Sequence, residues 1–242
     1  SYGSNGYLIM AIAYQPKIVT DGLVLCLDAG DGKSYSGSGT TWTDRSGGGY
    51  NGTLTNGPTF DSANKGSIQL DGTNDNIRTT WGADHNPYNN PITVSCWFKI
   101  DSMTKNMIIL STGQSRGNND LNQRLYFGIN TTFSEKFGWG IRNSGWASSQ
   151  ITAITANTSE WFKVTTVINS TNAYCYINNI LTHTKSVDST YVLNDGLWLG
   201  THNNDFDFEF HGKIANATVY EKDLSEAERT QNYNAKKSRF GL

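Results

Sequence analysis

Strict alternation of apolar and polar residues over two segments is the feature that most limits what this chain can fold into. In Val94–Ile100 every second residue is Val, Cys, Phe or Ile, with Ser, Trp and Lys between them. Phe162–Ile168 repeats the pattern, and Ala173–Ile177 follows after a turn of Ser, Thr and Asn. Because successive side chains of a strand point to opposite faces, the first two segments are predicted to be half-buried strands. The third is predicted to pair antiparallel with the second.

Local signals predict where the chain turns and where a helix begins. Asn178-Asn179 predicts a tight hairpin, because Asn is the non-glycine residue that adopts positive φ most readily. The 25 glycines cluster at turns such as Gly47–Gly49, which is typical of a loop-rich all-β protein. Ser225 and Glu228 have the spacing of a capping box, so one helix is predicted from Ser225 to about Tyr233.

The composition narrows the class of protein. A chain of 242 residues suits one β-sandwich domain. Cys26, Cys96 and Cys175 each lie in an apolar run, so they are predicted to be buried free thiols, as in a protein made in a reducing cytosol. The net charge of −2 offers no basic surface to nucleic acid. Leu8–Tyr14 is far shorter than the roughly 20 apolar residues that span a bilayer, so we expect neither a membrane anchor nor a signal peptide.

Four segments in a fixed order are similar to one known family. They are SIQLDGTNDNI (67–77), PITVSCWFKI (91–100), WFKVTTVINSTNAYCYINNIL (161–181) and FHGKIANATVYEKDLSEAE (210–228). They resemble the laminin-G-like jelly roll of the concanavalin A-like lectin/glucanase superfamily, and the resemblance extends from about Asp21 to Asn234. It implies an all-β fold, a two-sheet antiparallel jelly-roll sandwich with one short C-terminal helix. The family's usual acidic pair after its F-x-G-x-I signature is replaced by Ala215 and Asn216.

Three further segments are similar to a narrower group, the virion proteins of tailed bacteriophages that carry this domain. They are IVTDGLVLCLDA (18–29), SGTTWTD (38–44) and SRFGL (238–242). The resemblance implies a non-enzymatic virion structural protein, a head decoration or fibre-associated subunit whose lectin-like fold is exposed outward. Its expected partners are other virion proteins, such as the major shell protein or copies of this chain. Its expected location is the virion, assembled in the host cytoplasm.

The resemblance also divides the chain into three parts. Residues 1–20 are predicted to be an N-terminal edge strand or an arm that reaches a neighbouring subunit. Residues 21–235 form the laminin-G-like jelly-roll domain, and residues 236–242 form a C-terminal tail. Phe240 and Leu242 in this tail lie beyond the predicted helix, so the tail is predicted either to dock on a neighbour or to be solvated.

Carbohydrate binding is the alternative function, and it requires exposed aromatic side chains with polar neighbours. Trp139 and Trp146 are the first candidates, because they lie in a polar, glycine-containing stretch, and Trp81 is a further one. Core or interface packing is the competing interpretation of these residues. The remaining strand tryptophans at 97, 161 and 198 are predicted to serve packing. Cell-surface glycans would then be partners.

A calcium site is a candidate at one rim of the sandwich, because Ca²⁺ binds several oxygen ligands and laminin-G-like domains sometimes hold it in such loops. Asp71, Asn74 and Asp75 share one loop, and residues 202–205 form another Asn- and Asp-containing loop. The competing interpretation is a structural turn without metal. No other cofactor is expected.

Glycan hydrolysis is the third function considered. Strand alternation would place Asp205, Asp207 and Glu209 on one face, as in the catalytic strand of related glucanases. A retaining glycosidase needs two carboxyl groups about 5–5.5 Å apart, whereas alternate residues of a strand are about 6.6 Å apart. The segment also lies immediately before the structural signature at Phe210, Gly212 and Ile214. We therefore predict a solvated acidic strand and no enzyme activity.

Overall fold

The computed structural model describes residues 17–82, 85–113, 124–130, 136–142, 150–187, 193, 196–201 and 208–242. These residues form sixteen β-strands and one α-helix, and all strand pairs are antiparallel. The elements are β1 (Leu23–Asp28), β2 (Thr41–Trp42), β3 (Gly52–Thr55), β4 (Thr59–Asp61), β5 (Ser67–Asp71), β6 (Asn76–Thr79), β7 (Ile92–Ile100), β8 (Met107–Gly113), β9 (Arg124–Asn130), β10 (Lys136–Arg142), β11 (Gln150–Thr155), β12 (Trp161–Ile168), β13 (Asn172–Ile177), β14 (Ile180–Ser186), β15 (Leu197–Leu199), β16 (His211–Tyr220) and α1 (Glu226–Lys237).

Two sheets of eight strands pack face to face, which confirms the predicted jelly-roll sandwich. The first sheet has the order β14-β13-β12-β7-β16-β5-β4, with β1 also paired to β16. The second sheet has the order β11-β10-β9-β8-β15-β6-β3-β2. The predicted hairpin between β13 and β14 is present, and Asn178 and Asn179 adopt φ of 49° and 67° there.

The core lies between the sheets and is centred on phenylalanines from both. Phe98 and Phe162 of the first sheet have ring centroids 5.8 Å apart, and Phe127 and Phe137 of the second are 5.2 Å apart. Phe137 meets Phe162 across the interface at 5.0 Å. Each such ring contributes about 1.5–3 kcal/mol of burial free energy, so this cluster is a main source of the sandwich's stability.

The prediction that β7 and β12 are half-buried was wrong. Nearly every residue of both strands is buried, including the outward-facing Trp97 and Trp161. The cause is a second apolar cluster in which these two rings pack against Phe240 at 4.5 and 4.6 Å. Tyr233 of α1 stacks on Trp97 at 5.5 Å. We call this outer surface of the first sheet the helix-covered face.

Helix α1 begins as predicted and ends later than predicted. Ser225 caps it, and the side chain of Glu228 accepts from the Ser225 amide, which completes the capping box. The helix continues to Lys237 and is followed by a 3₁₀ turn at Ser238–Phe240. The last turn carries Lys236, which forms an ion pair with Asp28 at the end of β1.

The C-terminal segment 236–242 belongs to the domain, so the prediction of a docking or solvated tail was wrong for most of it. Phe240 is buried on the helix-covered face, and only Leu242 remains exposed. Arg239 donates to the carboxylate of Asp28 and to the carbonyls of Asn64 and Gly66. These contacts leave no apolar residue of the segment free for a neighbour except Leu242.

The predicted boundary between the N-terminal segment 1–20 and the domain also differs from the structure. Residues 1–16, most of the predicted arm, lie outside the described residues. Val19 packs on the domain, where its amide donates to Asn232 and its carbonyl accepts from the Tyr220 hydroxyl. The domain therefore begins before residue 21.

The three cysteines are buried and free. Burial raises the pKa of Cys26 to about 11 and that of Cys175 to about 12, and it raises the pKa of Cys96 further still. Since the thiolate is the reactive form, these thiols act as small core side chains, as predicted.

Candidate functional site

On the side of the second sheet that faces away from the core, the strand registers align one residue from each of six strands. The pairing registers align Thr53 with Arg78, Arg78 with Trp198, Trp198 with Ser111, Ser111 with Tyr126, and Tyr126 with Gly140. The flanking residues of each strand point inward and form the core. We call this set the transverse row: Thr53, Arg78, Trp198, Ser111, Tyr126 and Gly140.

Arg78 and Trp198 form the centre of the transverse row. The guanidinium carbon of Arg78 lies 5.0 Å from the centroid of the Trp198 ring. This cation–π contact holds an exposed arginine over a ring that is only 4% exposed. The buried tryptophan ring therefore lies against the guanidinium of Arg78, which is the exposed residue of the pair.

Tyr126 and Gly140 form the other half of the row. Tyr126 is half-buried, and a Cβ placed at Gly140 would lie 2.5 Å from its hydroxyl oxygen. The glycine thus leaves the space that the tyrosine ring occupies. Ser111 lies in the row between these two halves and is buried. Its hydroxyl donates to the carbonyl of Thr201 at 3.1 Å.

This arrangement combines a planar cation, an aromatic ring with a hydroxyl, and an exposed threonine. Sugar hydroxyls and carboxylates accept hydrogen bonds from arginine, and sugar rings pack on aromatic side chains. Neighbouring strands are about 4.8 Å apart, so six strands make a row about 24 Å long. Within the row Thr53 and Arg78 are exposed and Tyr126 is half-buried, whereas Trp198, Ser111 and Gly140 are buried. The openly accessible part of the row is therefore its Thr53–Arg78 end.

Two of the three tryptophans predicted to contact sugar lie in the core, which corrects that prediction. Trp139 of β10 is fully buried and its indole N–H donates to the Thr166 hydroxyl at 3.2 Å. Trp81 is 1% exposed. Trp139 points inward because it shares the core-facing side of β10 with Phe137. Trp146 lies outside the described residues. Trp97, Trp161 and Trp198 are buried on strands, as predicted.

The loop predicted as a calcium site is an internally bonded turn. The carboxylate of Asp75 accepts from the Asp71 amide at 3.1 Å, and Asp71 accepts from the Thr73 amide at 2.8 Å. Burial raises the pKa of Asp75 above its usual range, although the bond from the Asp71 amide opposes the shift. Asn74 uses its carbonyl to bind the side chains of Asn56 and Asn76.

Within the described part of the chain, no three His, Cys, Asp or Glu side chains are grouped so as to hold a metal ion. The second predicted loop, residues 202–205, lies outside it. No helix among the described residues is both long and apolar enough to cross a membrane.

The acidic segment proposed for catalysis is described only at its end. Asp205 and Asp207 lie outside the described residues. Glu209 is buried and forms an ion pair with Lys105. The signature residues Phe210 and Ile214 that follow are fully buried, as their structural role predicts.

Sequence reasoning missed the transverse row, although one signal was present. In Leu125–Ile129 and Phe137–Ile141 the apolar residues alternate with Tyr126, Gly128, Gly138 and Gly140. That pattern marks two adjacent strands whose outer sides carry a tyrosine among glycines. The pairing of β15 with β6 and β8, which brings Trp198 to Arg78 and Ser111, has no local sequence signal.

A laminin-G-type sequence model, described as the concanavalin A-like lectin/glucanases superfamily, matches residues 71–228. The match spans well over half of the chain. No curated protein sequence matches significantly.

Solved structures with similar folds include several carbohydrate-related proteins. Trypanosoma rangeli sialidase in complex with sialic acid has a TM-score of 0.69 at 13% identity over 91% of this chain, which spans 34% of the sialidase. Domain 4 of AbnA, a GH43 extracellular arabinanase from Geobacillus stearothermophilus, in complex with arabinotriose, has a TM-score of 0.63 at 16% identity and covers 88% of this chain and 98% of that domain. The receptor-binding domain of botulinum neurotoxin D has a TM-score of 0.66 at 18% identity, over 88% of this chain and 52% of that one. At these identities the similarity shows the fold.

Proposed function

Because the chain belongs to the concanavalin A-like lectin/glucanases superfamily, we propose that it is a non-enzymatic structural protein of a tailed-bacteriophage virion, a head decoration or fibre-associated subunit that presents its lectin-like fold outward. The observation that carries this proposal is the meeting of the three segments that resemble such virion proteins. Asp28 from 18–29 accepts from Arg239 of 238–242 at 2.7 Å. Asp44 from 38–44 accepts from the Cys26 amide at 2.8 Å.

The two aspartates at these contacts are each held by several charged or backbone donors. Burial opposes ionisation of Asp28, but Lys236 and Arg239 outweigh it and hold the pKa of this carboxyl below its usual range. Backbone amides of Cys26, Ser46 and Tyr50 likewise surround the Asp44 carboxylate. Asp28 and Asp44 therefore hold the three segments together within one domain, which is the part of the fold on which the virion proposal rests.

The state of Glu209 supports a role without catalysis. A glycosidase needs one carboxylic acid to donate a proton and a second carboxylate nearby. Glu209 is 1% exposed and is paired with Lys105, so its carboxyl group is engaged in a structural contact.

Quantitative mass spectrometry of purified particles tests the virion proposal. A copy number comparable with that of the major shell protein would identify a decoration protein, and a small fraction of it would identify a fibre or tail component. Absence of the chain from particles that carry all other structural proteins would contradict the proposal.

A second function, carbohydrate binding, is favoured by the transverse row. The row offers an exposed guanidinium and a half-buried tyrosine, and the fold matches a domain solved with arabinotriose over 98% of that domain. The two functions are compatible, because a subunit on a particle surface can also bind host glycans.

A glycan array followed by calorimetry tests this function. Arg78→Ala and Tyr126→Ala should each weaken binding about tenfold, which corresponds to roughly 1.4 kcal/mol. Thr55→Ala is the matched control, because Thr55 is exposed on β3 of the same sheet but pairs with Asn76 outside the row. Unchanged affinity in both row variants would exclude the row as the sugar site. Particle incorporation should survive all three substitutions.

A further inference from the structure

Lys163 is a buried lysine that has no acidic partner among the residues that the structure describes. It lies on the outer side of β12, directly opposite Trp97 of β7, and is 5% exposed beneath α1. Burial, together with the charges of Lys236 and Arg229, lowers the pKa of Lys163 to about 7. Much of this amine is therefore unprotonated, and nucleophilic, at neutral pH.

Two cations of α1, Arg229 and Lys236, act on Lys163, and the side-chain oxygen of Asn178 beside it already accepts from the Lys163 backbone amide at 2.8 Å. Arg229, Tyr233 and Lys236 follow one another at helical spacing, so they face the sheet together from α1. The indole N–H of Trp97 and the Nε–H of Arg229 are buried and have no hydrogen-bond acceptor. The carboxylate that α1 does contact, Asp28, is held by Lys236 and Arg239.

A buried donor without an acceptor costs about 1–3 kcal/mol, so two of them beside an unpaired lysine are unusual. The described ion pairs include no carboxylate bonded to Lys163. What this part of the helix-covered face lacks is a negatively charged acceptor with more than one oxygen. Lys163 itself can provide it after one chemical step.

We propose that Lys163 is a carbamylation site that reacts reversibly with carbon dioxide. The lone pair of Nζ attacks the carbon of CO₂ and forms a C–N bond, while one C=O bonding pair moves to its oxygen. The nitrogen then releases one proton to solvent, which leaves the carbamate R–NH–COO⁻. The two carbamate oxygens accept from Trp97 and Arg229, and the new negative charge lies near Lys236 and Arg229.

Carbon dioxide suits this site better than an inorganic anion does. Chloride or phosphate would have to lose hydration before it entered a surface covered by Phe240, Tyr233 and Trp161. Carbon dioxide is small and uncharged, so it reaches the amine without that cost, and the charge forms only after entry.

Nuclear magnetic resonance with ¹³C-labelled bicarbonate tests the proposal. The wild-type chain should show a carbamate carbon signal that disappears when the sample is purged with nitrogen or acidified. Lys163→Met should lack the signal. Lys185→Met should retain it, because that lysine of β14 donates to the carbonyl of Ile141 at 2.8 Å in another part of the first sheet. The same signal in Lys163→Met, or no signal in the wild type, would overturn the proposal.

A second measurement does not depend on the folding of a variant. Alkylation with triethyloxonium in the presence of bicarbonate converts a carbamate to a stable ester. Mass spectrometry of the digested wild-type chain should place the added mass on Lys163, and its absence from that peptide would count against the site.

Thermal unfolding separates carbamylation from simple anion binding. Bicarbonate should raise the melting temperature by about 2–4 °C in the wild type and not in Lys163→Met, while chloride at equal ionic strength should have no such effect. An equal rise with chloride would mean an ordinary anion site and would overturn the proposal. These results are independent of sugar binding and of particle incorporation.

Discussion

The two outer faces of the sandwich are built by the same strand alternation and yet differ in character. On the helix-covered face, Trp97 and Trp161 are packed under Phe240 and α1. On the second sheet, the transverse row leaves Arg78 exposed and Tyr126 half-exposed. The difference arises after β16, because α1 and the residues that follow it return over the first sheet and not over the second. One outer face is therefore closed by the chain itself, whereas the other keeps an exposed arginine and a half-buried tyrosine.

Removal of the ring that closes the helix-covered face should have the largest effect on stability. Phe240→Ala should lower the free energy of unfolding by about 3–5 kcal/mol, because it removes a buried ring between two tryptophans. Urea denaturation measures the change. Leu242→Ala is the control, since that side chain is 41% exposed, and its effect should be within about 0.5 kcal/mol. Equal effects would mean that the face is not closed by Phe240.

Replacement of the buried lysine on the same face should act in the opposite direction. In buffer free of carbon dioxide, Lys163→Met should raise the free energy of unfolding at pH 7 by about 1–4 kcal/mol, because an apolar side chain replaces a buried amine. The pKa of Lys163 is about 7 in the folded chain and 10.5 is its ordinary value. Between these values the unfolded chain binds more protons, so wild-type stability rises with pH.

The advantage of the variant should therefore shrink as the pH rises from 7 to 10. Denaturant titrations of both proteins at several pH values measure it. A constant difference over that range would show that Lys163 does not titrate between the two states.

Loss of the anion at the end of β1 should have an intermediate effect. Asp28→Asn should cost about 1.5–3 kcal/mol at pH 7, because Lys236 and Arg239 lose their charged partner. The pKa of Asp28 is lowered in the folded chain, mainly by these two cations acting against burial. Its contribution is thus present above pH 3.8 and is lost as the pH falls through the folded value.

The variant and the wild type should converge in acid, and melting curves from pH 7 to pH 2 would show this. Asp31→Asn is the control, because the pair of Asp31 with Arg45 is on the surface, with 43% of the aspartate side chain exposed, and contributes about 0–1 kcal/mol.

A methyl group added to one glycine of each sheet should give the most direct contrast between the transverse row and the core-facing side of the first sheet. Gly140→Ala in the transverse row should change stability by less than about 1 kcal/mol, because its Cβ meets the movable hydroxyl end of Tyr126. Glycan affinity should fall several-fold as the ring shifts. Gly212→Ala in the first sheet should destabilise far more, because its Cβ would lie 2.3 Å from the Lys99 backbone oxygen. Calorimetry and thermal melts of both variants measure the contrast.

The sequence predicted what local chemistry controls. The strand over Val94–Ile100, the Asn178-Asn179 turn and the Ser225 capping box all appear in the structure. It failed where distant segments decide burial. Nothing near Trp97 indicates that Phe240 covers it. Trp139 was misassigned although it alternates with Gly138 and Gly140 in step with Phe137 and Ile141, which places it on the apolar side of its strand.

The transverse row likewise has one part that a local pattern predicts and one part that depends on the pairing of distant strands. Tyr126 and its neighbouring glycines could be recognised as an outward-facing strand pattern, but Arg78 and Trp198 are 120 positions apart and meet only because β15 pairs with β6. Whether an aromatic residue is exposed depends on the order of strands in the sheet, and no local sequence pattern predicts that order.

The return of α1 to Asp28 has a mechanical consequence. The chain enters beside Val19, near the Leu23 end of β1, and leaves at Arg239, which is fastened to Asp28 at the opposite end. Tension applied between these two points acts along the strand, over about 20 Å, and loads its hydrogen bonds together rather than one after another. A domain fastened in this way resists pulling from its ends for as long as Arg239 and Phe240 hold.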